Sequence, residues 1–248
     1  ADGMFSQFGI VSNDDDIVYV MTAGEINEQK TRDCIWRHFN NLIIENDGEP
    51  TPKVKPELGA LPDDLEEREH SSFEKELDGK TISMQINPIL NAAGFPFSML
   101  PIPIVYMSGD RAGNVDNIVF RFDGDTCTMS WDEGDEHNTI LCGMDGKARS
   151  SPITLAEMNF TAFSTAAWVD KNTIEVHMRP VGGICMRKIK LSFNGHIVTL
   201  RPSSQMPISA MAESLALDVD SFFPPILHKF GLVAFDQLPG IIDAPILG

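Results

Sequence analysis

Basic residues are scarce in this chain. Its 248 residues contain 19 Lys and Arg against 36 Asp and Glu, which gives a formal net charge of −17. A field of that sign repels phosphate backbones and anionic lipid headgroups. The sequence therefore predicts neither a nucleic-acid partner nor a membrane partner.

Long apolar runs are also missing. The run from Phe95 to Tyr106 is short and interrupted by proline, whereas a membrane-spanning helix needs about 20 apolar residues. The first seven residues contain no basic stretch followed by an apolar one, so no signal peptide is expected. These features predict a cytoplasmic protein.

Cysteine and histidine are too few and too scattered for a metal site. No C-x-x-C, H-x-x-x-H or H-E-x-x-H pair occurs, and the acidic clusters lack the spacing of an EF-hand. We therefore expect no metal and no cofactor, and we interpret the four cysteines as reduced thiols. A disulfide between neighbouring strands is the alternative for one pair. The four are Cys34, Cys127, Cys142 and Cys185, and the pair is Cys127–Cys142.

The N-terminal segment 1–45 has the pattern of a hairpin followed by a helix. Apolar runs at Met4–Val11 and Ile17–Thr22 flank a turn at 13–16. Asn27 then precedes a stretch with helical periodicity and is a good N-cap residue.

Segment 46–78 is predicted to be an acidic linker and helix. Residues 46–62 are rich in Pro, Glu, Lys and Gly, a composition typical of linkers. A helix is expected from Asp63 or Asp64 to Leu77, because Pro62 precedes it and Gly79 follows it.

From residue 79 to 202 the apolar period changes from helical to alternating. Asp123-Gly124 and Asn194-Gly195 each separate two alternating runs, which is the strongest short-range signal of a hairpin. We count about eight antiparallel strands, enough for a small lipocalin-like β-barrel or sandwich. The prediction of about eight strands draws on nine runs: Thr81–Asn87, Ile102–Met107, Ile118–Phe122, Cys127–Trp131, His137–Cys142, Phe160–Ala167, Thr173–Arg179, Ile189–Phe193 and Val198–Leu200.

The last segment, 203–248, loses the alternation and is predicted to be a helical and irregular tail. Its apolar end, Leu238–Gly248, is expected to dock on a groove of its own chain or of a neighbour. With this tail and the N-terminal helix, the predicted fold class is α+β.

One short motif suggests catalysis. Residues 72–75 read Ser-Phe-Glu-Lys and match S-x-x-K, the nucleophile motif of penicillin-recognising enzymes. That chemistry needs the serine at a helix start inside a cleft. Ser72 is predicted to lie within an acidic, solvated helix, so the motif is interpreted as part of a surface helix and no catalytic residue is assigned.

The N-terminal residues carry a family resemblance. Ala1–Val11, Ile17–Gly24 and Cys34–Phe39 resemble the last two strands and terminal helix of the β-lactamase-related serine hydrolases, which are class C-like and have a penicillin-binding-protein-like fold. Members with a C-terminal β-domain show a similar downstream order, matched here by Leu61-Pro62, Gly79-Lys80-Thr81 and Trp168-Val169-Asp170. The resemblance implies that Asp2, Gly3 and Met4 line a substrate site and that the β-domain shapes or covers it.

The chain departs from that family at its catalytic residues. Ala1-Asp2-Gly3 stands where the family has a Lys-Thr-Gly-like triad, so the lysine is absent. The family's serine–lysine helix and its base are not found. Without nucleophile and base, acyl-enzyme chemistry does not occur. We therefore expect a non-catalytic C-terminal portion of an amide or ester hydrolase, whose partner is the missing N-terminal catalytic part or a second copy in a homodimer.

Two other functions remain open. A closed barrel with a Phe-, Met- and Ile-lined interior is suited to bind one small apolar ligand. Alternatively, the apolar tail is an assembly element.

Overall fold

The computed structural model describes residues 2–3, 6–14, 16–24, 27–39, 65–85, 115–155, 158–183, 186–205 and 246–248. The chain divides into two compact units, residues 1–59 and 60–248. The predicted linker 46–62, the strand Ile102–Met107 and residues 206–245 of the tail lie outside the described residues. Most of the described chain is β-strand, so the α+β label overstates the helical content.

The first unit contains the predicted hairpin and helix. Strands β1 (Asp2–Gly3), β2 (Gln7–Ser12) and β3 (Ile17–Met21) form an antiparallel sheet in that order. Helix α1 spans Glu28–Phe39. The Lys30 backbone N–H donates to Asn27 Oδ1 at 2.9 Å, so the predicted N-cap is confirmed.

The second unit contains a short helix and one large sheet. The helix α2 spans Glu74–Leu77. The strands are β4 (Thr81–Ile82), β5 (Val115–Asp123), β6 (Thr126–Glu133), β7 (Glu136–Gly143), β8 (Arg149–Leu155), β9 (Met158–Asp170), β10 (Thr173–Pro180), β11 (Arg187–Asn194), β12 (Ile197–Ser204) and β13 (Ile246–Leu247).

The strands of this sheet pair mostly with their sequence neighbours. Their order is β13-β12-β11-β10-β9-β7-β6-β5-β4, with β8 paired to β9. All these pairings are antiparallel except a single parallel bridge between Gly143 and Thr165. The predicted Asp-Gly and Asn-Gly hairpins are confirmed, since Gly124 and Gly195 adopt φ values of 53° and 62° that suit glycine.

The two ends of the strand order meet, so the sheet closes on itself. The backbone N–H of Gln85, just after β4, donates to the carbonyl of Leu247 in β13 at 2.7 Å. Gly248 and Val198 exchange two backbone hydrogen bonds on the other side of β13. A Cβ at Gly248 would lie 2.8 Å from the Ser83 carbonyl oxygen, so the close approach requires glycine. The end of the apolar tail is thus a strand docked on its own chain, and not a helix.

The predicted helix 63–77 is wrong over most of its described part. Residues 65–71 have no regular structure, and only Glu74–Leu77 are helical. The segment instead lies against the sheet: the Leu65 N–H donates to Thr165 Oγ1 at 3.3 Å and Ser71 Oγ to the Lys171 carbonyl at 2.6 Å. Tertiary contacts of this kind override a weak helical propensity.

Strand β8, which contains Pro152, is absent from the predicted strands. Proline cannot donate to a sheet ladder and argues against an interior strand. Alternate residues of a strand direct their N–H groups to the same side, and the Thr154 N–H is directed at β7. A backbone N–H at position 152 would therefore also be directed at β7. Proline has no such N–H, and its absence leaves the ladder between β8 and β9 intact.

Strands β7 and β8 lie side by side and are connected by side-chain hydrogen bonds. We call the border between these two strands the seam. Asn138 of β7 donates from Nδ2 to the Thr154 carbonyl at 2.7 Å and accepts from the Thr154 N–H at 2.9 Å. The Leu141 N–H donates to Ser151 Oγ at 2.8 Å. These bonds keep the register of an antiparallel pair, although no backbone ladder connects the two fully described strands.

Replacing Asn138 by alanine is expected to destabilise the sheet by about 1–3 kcal/mol, since both backbone groups of Thr154 lose their partner. The measurement is the free energy of unfolding in urea. Asn159→Ala is the matched control, because Asn159 is exposed and its side chain, among the described residues, bonds the Thr154 hydroxyl and no backbone group. Equal losses in the two variants would contradict the assigned role of the seam.

Candidate functional site: the interior of the closed sheet

The inner face of the sheet is almost entirely apolar. Alternate residues of each strand turn inward, and many of them have no exposed surface. They include Ile118, Phe120, Cys127, Met129, Trp131, Ile140, Cys142, Ala166, Ile174, Val176, Met178, Ile189, Leu191 and Leu200. These side chains are shielded from solvent, and they define an enclosed hydrophobic interior.

One end of the interior is closed by an aromatic cluster around Phe73, and we call it the closed end. The Phe73 ring lies 6.2 Å from Trp168 and 5.1 Å from Phe193, measured between ring centroids. The Trp168 Nε1–H donates to Glu74 Oε1 at 2.8 Å, and Leu77 of α2 is buried. The segment that leads into α2 therefore plugs this end.

Two charged side chains are buried at the opposite end, which we call the charged end. Glu133 is the last residue of β6 and Arg187 the first residue of β11, and both are 0% exposed. Arg187 Nη1 donates to Ser204 Oγ at 2.7 Å. A buried charge requires partners to offset its desolvation, so the interior is apolar at one end and polar at the other.

Among the described residues, the Trp131 Nε1–H and the Ser164 hydroxyl are buried on the inner face without a hydrogen-bond partner. Trp131 is 0% exposed and Ser164 1%. An unpaired buried donor is destabilising by about 1–3 kcal/mol, and such groups are uncommon in folded proteins.

The outer face carries a separate network around Glu175. Its carboxylate bonds His177 Nε2 at 2.8 Å and Lys190 Nζ at 2.9 Å. The hydrogen bond with His177, followed by the interactions with Lys190, lowers the pKa of Glu175 from 4.5 to about 2. His177 points away from the interior, as its alternation with Val176 and Met178 predicts, and its role is to hold this carboxylate.

The lowered pKa makes Glu175 a source of acid sensitivity. The ionised Glu175 stabilises the folded state, and this stabilisation is fully present above pH 4.5. It is lost as the pH falls from there towards 2, because the carboxyl group takes up its proton at a higher pH in the unfolded chain than in the folded one. We expect wild type to exceed Glu175→Gln in stability by about 1–3 kcal/mol at pH 6 and by much less at pH 3. Urea unfolding at both pH values measures this. A difference that does not change with pH would contradict it, and Glu76→Gln, at an exposed carboxylate, is the control.

The S-x-x-K serine lies in an open pocket near the closed end. Ser72 is exposed and precedes α2 by two residues, in a pocket of about 430 Å³ that is also lined by His70, Trp168 and Lys171. His70 Nδ1 bonds Glu74 Oε1 at 2.9 Å. In the described part of the chain, neither Ser72 nor Lys75 makes a side-chain hydrogen bond, so the motif is not assembled as a nucleophile and its base.

The other predicted site residues fall in the first unit. Asp2 and Gly3 form β1, which pairs with Phe8 and Gln7, and Met4 lies outside the described residues. Their role as substrate-binding residues stays a prediction. Among the described residues, no group of three or more His, Cys, Asp or Glu is placed to hold a metal ion.

The cysteines that the structure describes are free thiols. Cys127 and Cys142 are directly opposite each other on β6 and β7, as the disulfide alternative requires, but they are not bonded. Burial raises the pKa of both thiols, so they remain protonated within the apolar interior.

Comparison with known proteins adds little to this description. No protein-family model matches the sequence, and no curated protein is significantly similar to it. A solved structure that is similar is the fatty-acid-binding protein isolated from Manduca sexta, at 14% identity, with 52% of this chain and 90% of that chain covered and a TM-score of 0.32. This likeness is too low to assign a fold or a ligand. No helix in the described ranges is long and apolar enough to cross a membrane.

Sequence reasoning missed the polar groups of the interior. Glu133 lies in an acidic cluster, residues 132–136, whose Asp- and Gly-containing composition is typical of a solvated hairpin tip. The available signal was its position: Glu133 continues the inward alternation of Cys127, Met129 and Trp131.

Proposed function

We propose that the second unit is a non-catalytic binding module that takes a small, mainly apolar ligand into its interior. The observation that carries the proposal is an apolar, enclosed inner face that holds two polar groups without partners. Sites for small molecules combine these features, with a hydrophobic lining and a few polar groups that orient the ligand.

The enclosed interior requires the wall to open before a ligand is admitted. The closed end is plugged by Phe73 and its aromatic neighbours. The seam between β7 and β8 lacks a backbone ladder and is held by the side chains of Asn138 and Ser151. Few backbone hydrogen bonds are broken when these strands separate, so we place the opening at the seam.

A larger side chain in the interior is expected to exclude the ligand. Ala166 is 1% exposed on β9 and faces inward beside Val176. Ala166→Leu adds three carbon atoms where the ligand would lie, and we expect at least a tenfold loss of affinity. The measurement is the fluorescence of N-phenyl-1-naphthylamine, a neutral apolar probe, and its displacement by butylbenzene.

Ala23→Leu, in the first unit, is the matched control and should bind the probe as wild type does. Circular dichroism and urea unfolding check that Ala166→Leu is folded, since overpacking destabilises by about 1–3 kcal/mol. The proposal fails if wild type does not bind the probe, or if folded Ala166→Leu binds it with unchanged affinity.

As a second candidate, we propose that the chain is the accessory C-terminal portion of a β-lactamase-related serine hydrolase. The supporting observation is in the first unit, where β2, β3 and α1 follow the strand–strand–helix order that the resemblance implies. Val11, Val18 and Val20 share one face of the hairpin and are 66%, 70% and 71% exposed. An apolar sheet face of this kind is suited to pack against the missing part of such a catalytic domain.

This candidate predicts that the purified chain does not hydrolyse a chromogenic cephalosporin or a 4-nitrophenyl ester, because no nucleophile is assembled with a base. The absorbance of the released chromophore is the measurement. Turnover by wild type that disappears in Ser72→Ala and persists in Ser130→Ala would contradict it and assign Ser72 as a nucleophile.

A further inference from the structure

The outer face of the sheet carries a cluster of basic side chains on β11 and β12. Lys188, Lys190 and Arg201 occupy outward positions of strands whose alternate residues are buried. The two lysines are partly exposed and Arg201 is exposed. We call these three residues the basic patch, and it stands out on a chain with a net charge of −17.

The strand register places the three side chains next to each other. Lys190 pairs directly with Arg201, and Lys188 pairs with Ser203. Lys188 and Arg201 are therefore diagonal neighbours on one face, a position that separates two residues by about 7–8 Å. Like charges at opposite and diagonal positions repel each other, so this cluster does not serve the stability of the sheet.

One acidic side chain faces the patch from the neighbouring strand. Glu175 of β10 bonds Lys190 Nζ at 2.9 Å and His177 Nε2 at 2.8 Å. Strands β10, β11 and β12 contain no other Asp or Glu. Lys188 and Arg201 form no ion pair with a described residue. Glu175 thus offsets the charge of Lys190 and leaves two cations of the patch to a partner.

We propose that the basic patch is a docking surface for a short, extended acidic segment of a partner protein. Alternate side chains of an extended peptide lie on one side and are about 7 Å apart, which matches the diagonal spacing of Lys188 and Arg201. Clusters of basic side chains recognise acidic motifs in this way. The patch is on the outer face, so this inference is independent of the ligand proposed for the interior.

The size of the patch favours a short acidic segment over a larger polyanion. A nucleic acid or an anionic membrane would extend past three side chains and meet the rest of a chain with a net charge of −17. At physiological ionic strength the Debye length is about 8 Å. Charges beyond the neighbouring strands are therefore largely screened from a short segment that contacts the patch.

An NMR titration of ¹⁵N-labelled protein measures this docking and locates it. The probe is a peptide in which glutamate alternates with glycine, and its counterpart has glutamine in place of glutamate. At physiological ionic strength we expect the glutamate peptide to shift the backbone signals of β11 and β12, and the glutamine peptide to shift none. Added salt should weaken the binding, because exposed charges are screened.

Removing the two unpaired cations should reduce the affinity. We expect the double variant Lys188→Gln/Arg201→Gln to bind the glutamate peptide about threefold to tenfold more weakly, since each exposed ion pair contributes modestly. Lys75→Gln/Arg121→Gln is the matched control. It makes the same change in net charge at exposed residues of α2 and β5 and should bind as wild type does.

Releasing Lys190 should have the opposite effect. Glu175→Gln removes the carboxylate that bonds Lys190, and we expect the affinity for the glutamate peptide to rise about twofold to fivefold. Glu76→Gln makes the same change in net charge at an exposed residue of α2 and should leave the affinity unchanged. Circular dichroism checks that each variant is folded.

Four outcomes would overturn the inference. The glutamate peptide does not bind wild type, or it shifts signals away from β11 and β12. The folded double variant binds as tightly as wild type. The control Lys75→Gln/Arg121→Gln loses as much affinity, which would mean that net charge alone is responsible. A DNA duplex or phosphatidylserine vesicles bind more tightly than the peptide, which would identify a larger polyanion as the partner.

Discussion

The closed sheet depends on three residues at the end of the chain. Ile246–Gly248 lie between β12 and the residues that follow β4, with hydrogen bonds to Val198 on one side and to Gln85 on the other. Without them, β12 and β4 would be open edges with unpaired backbone groups, which are prone to pair with other chains. Closure also joins the two ends of the inner face.

The wall of the interior uses its own polar side chains as structural parts. Asn138 and Ser151 face inward, but their side chains form hydrogen bonds across the seam, where there is no backbone ladder. Pro152 fits this arrangement because it has no backbone N–H to donate to a ladder with β7. The result is a wall that keeps antiparallel register across β7 and β8 and has one border held by side chains alone. A binding function and a weak border are physically consistent, because an enclosed site needs a place to open.

The interior shows how much of a candidate site can be predicted from the sequence. The alternation from Cys127 to Trp131 indicated which residues face inward, and the structure confirms it. The same alternation extends to Glu133, but an acidic residue beside Gly134 and Asp135 is also typical of a solvated turn, so its inward position was not predicted. Nor does a sequence show that the Trp131 N–H is unpaired, since that depends on Asn138 bonding across to Thr154, sixteen residues along the chain.

The amino-acid sequence by itself determined the local features: the N-cap at Asn27, the Asp-Gly and Asn-Gly hairpins, and the inward face of most strands. These follow from backbone preferences and from a period of two, which act over a few residues. Only the tertiary structure decided that residues 65–71 lie against the sheet without regular structure, that β8 exists despite Pro152, and that Ile246–Leu247 close the sheet as a strand. Each of these depends on a hydrogen-bond partner that is distant along the chain, and such a partner is defined only when the chain has folded.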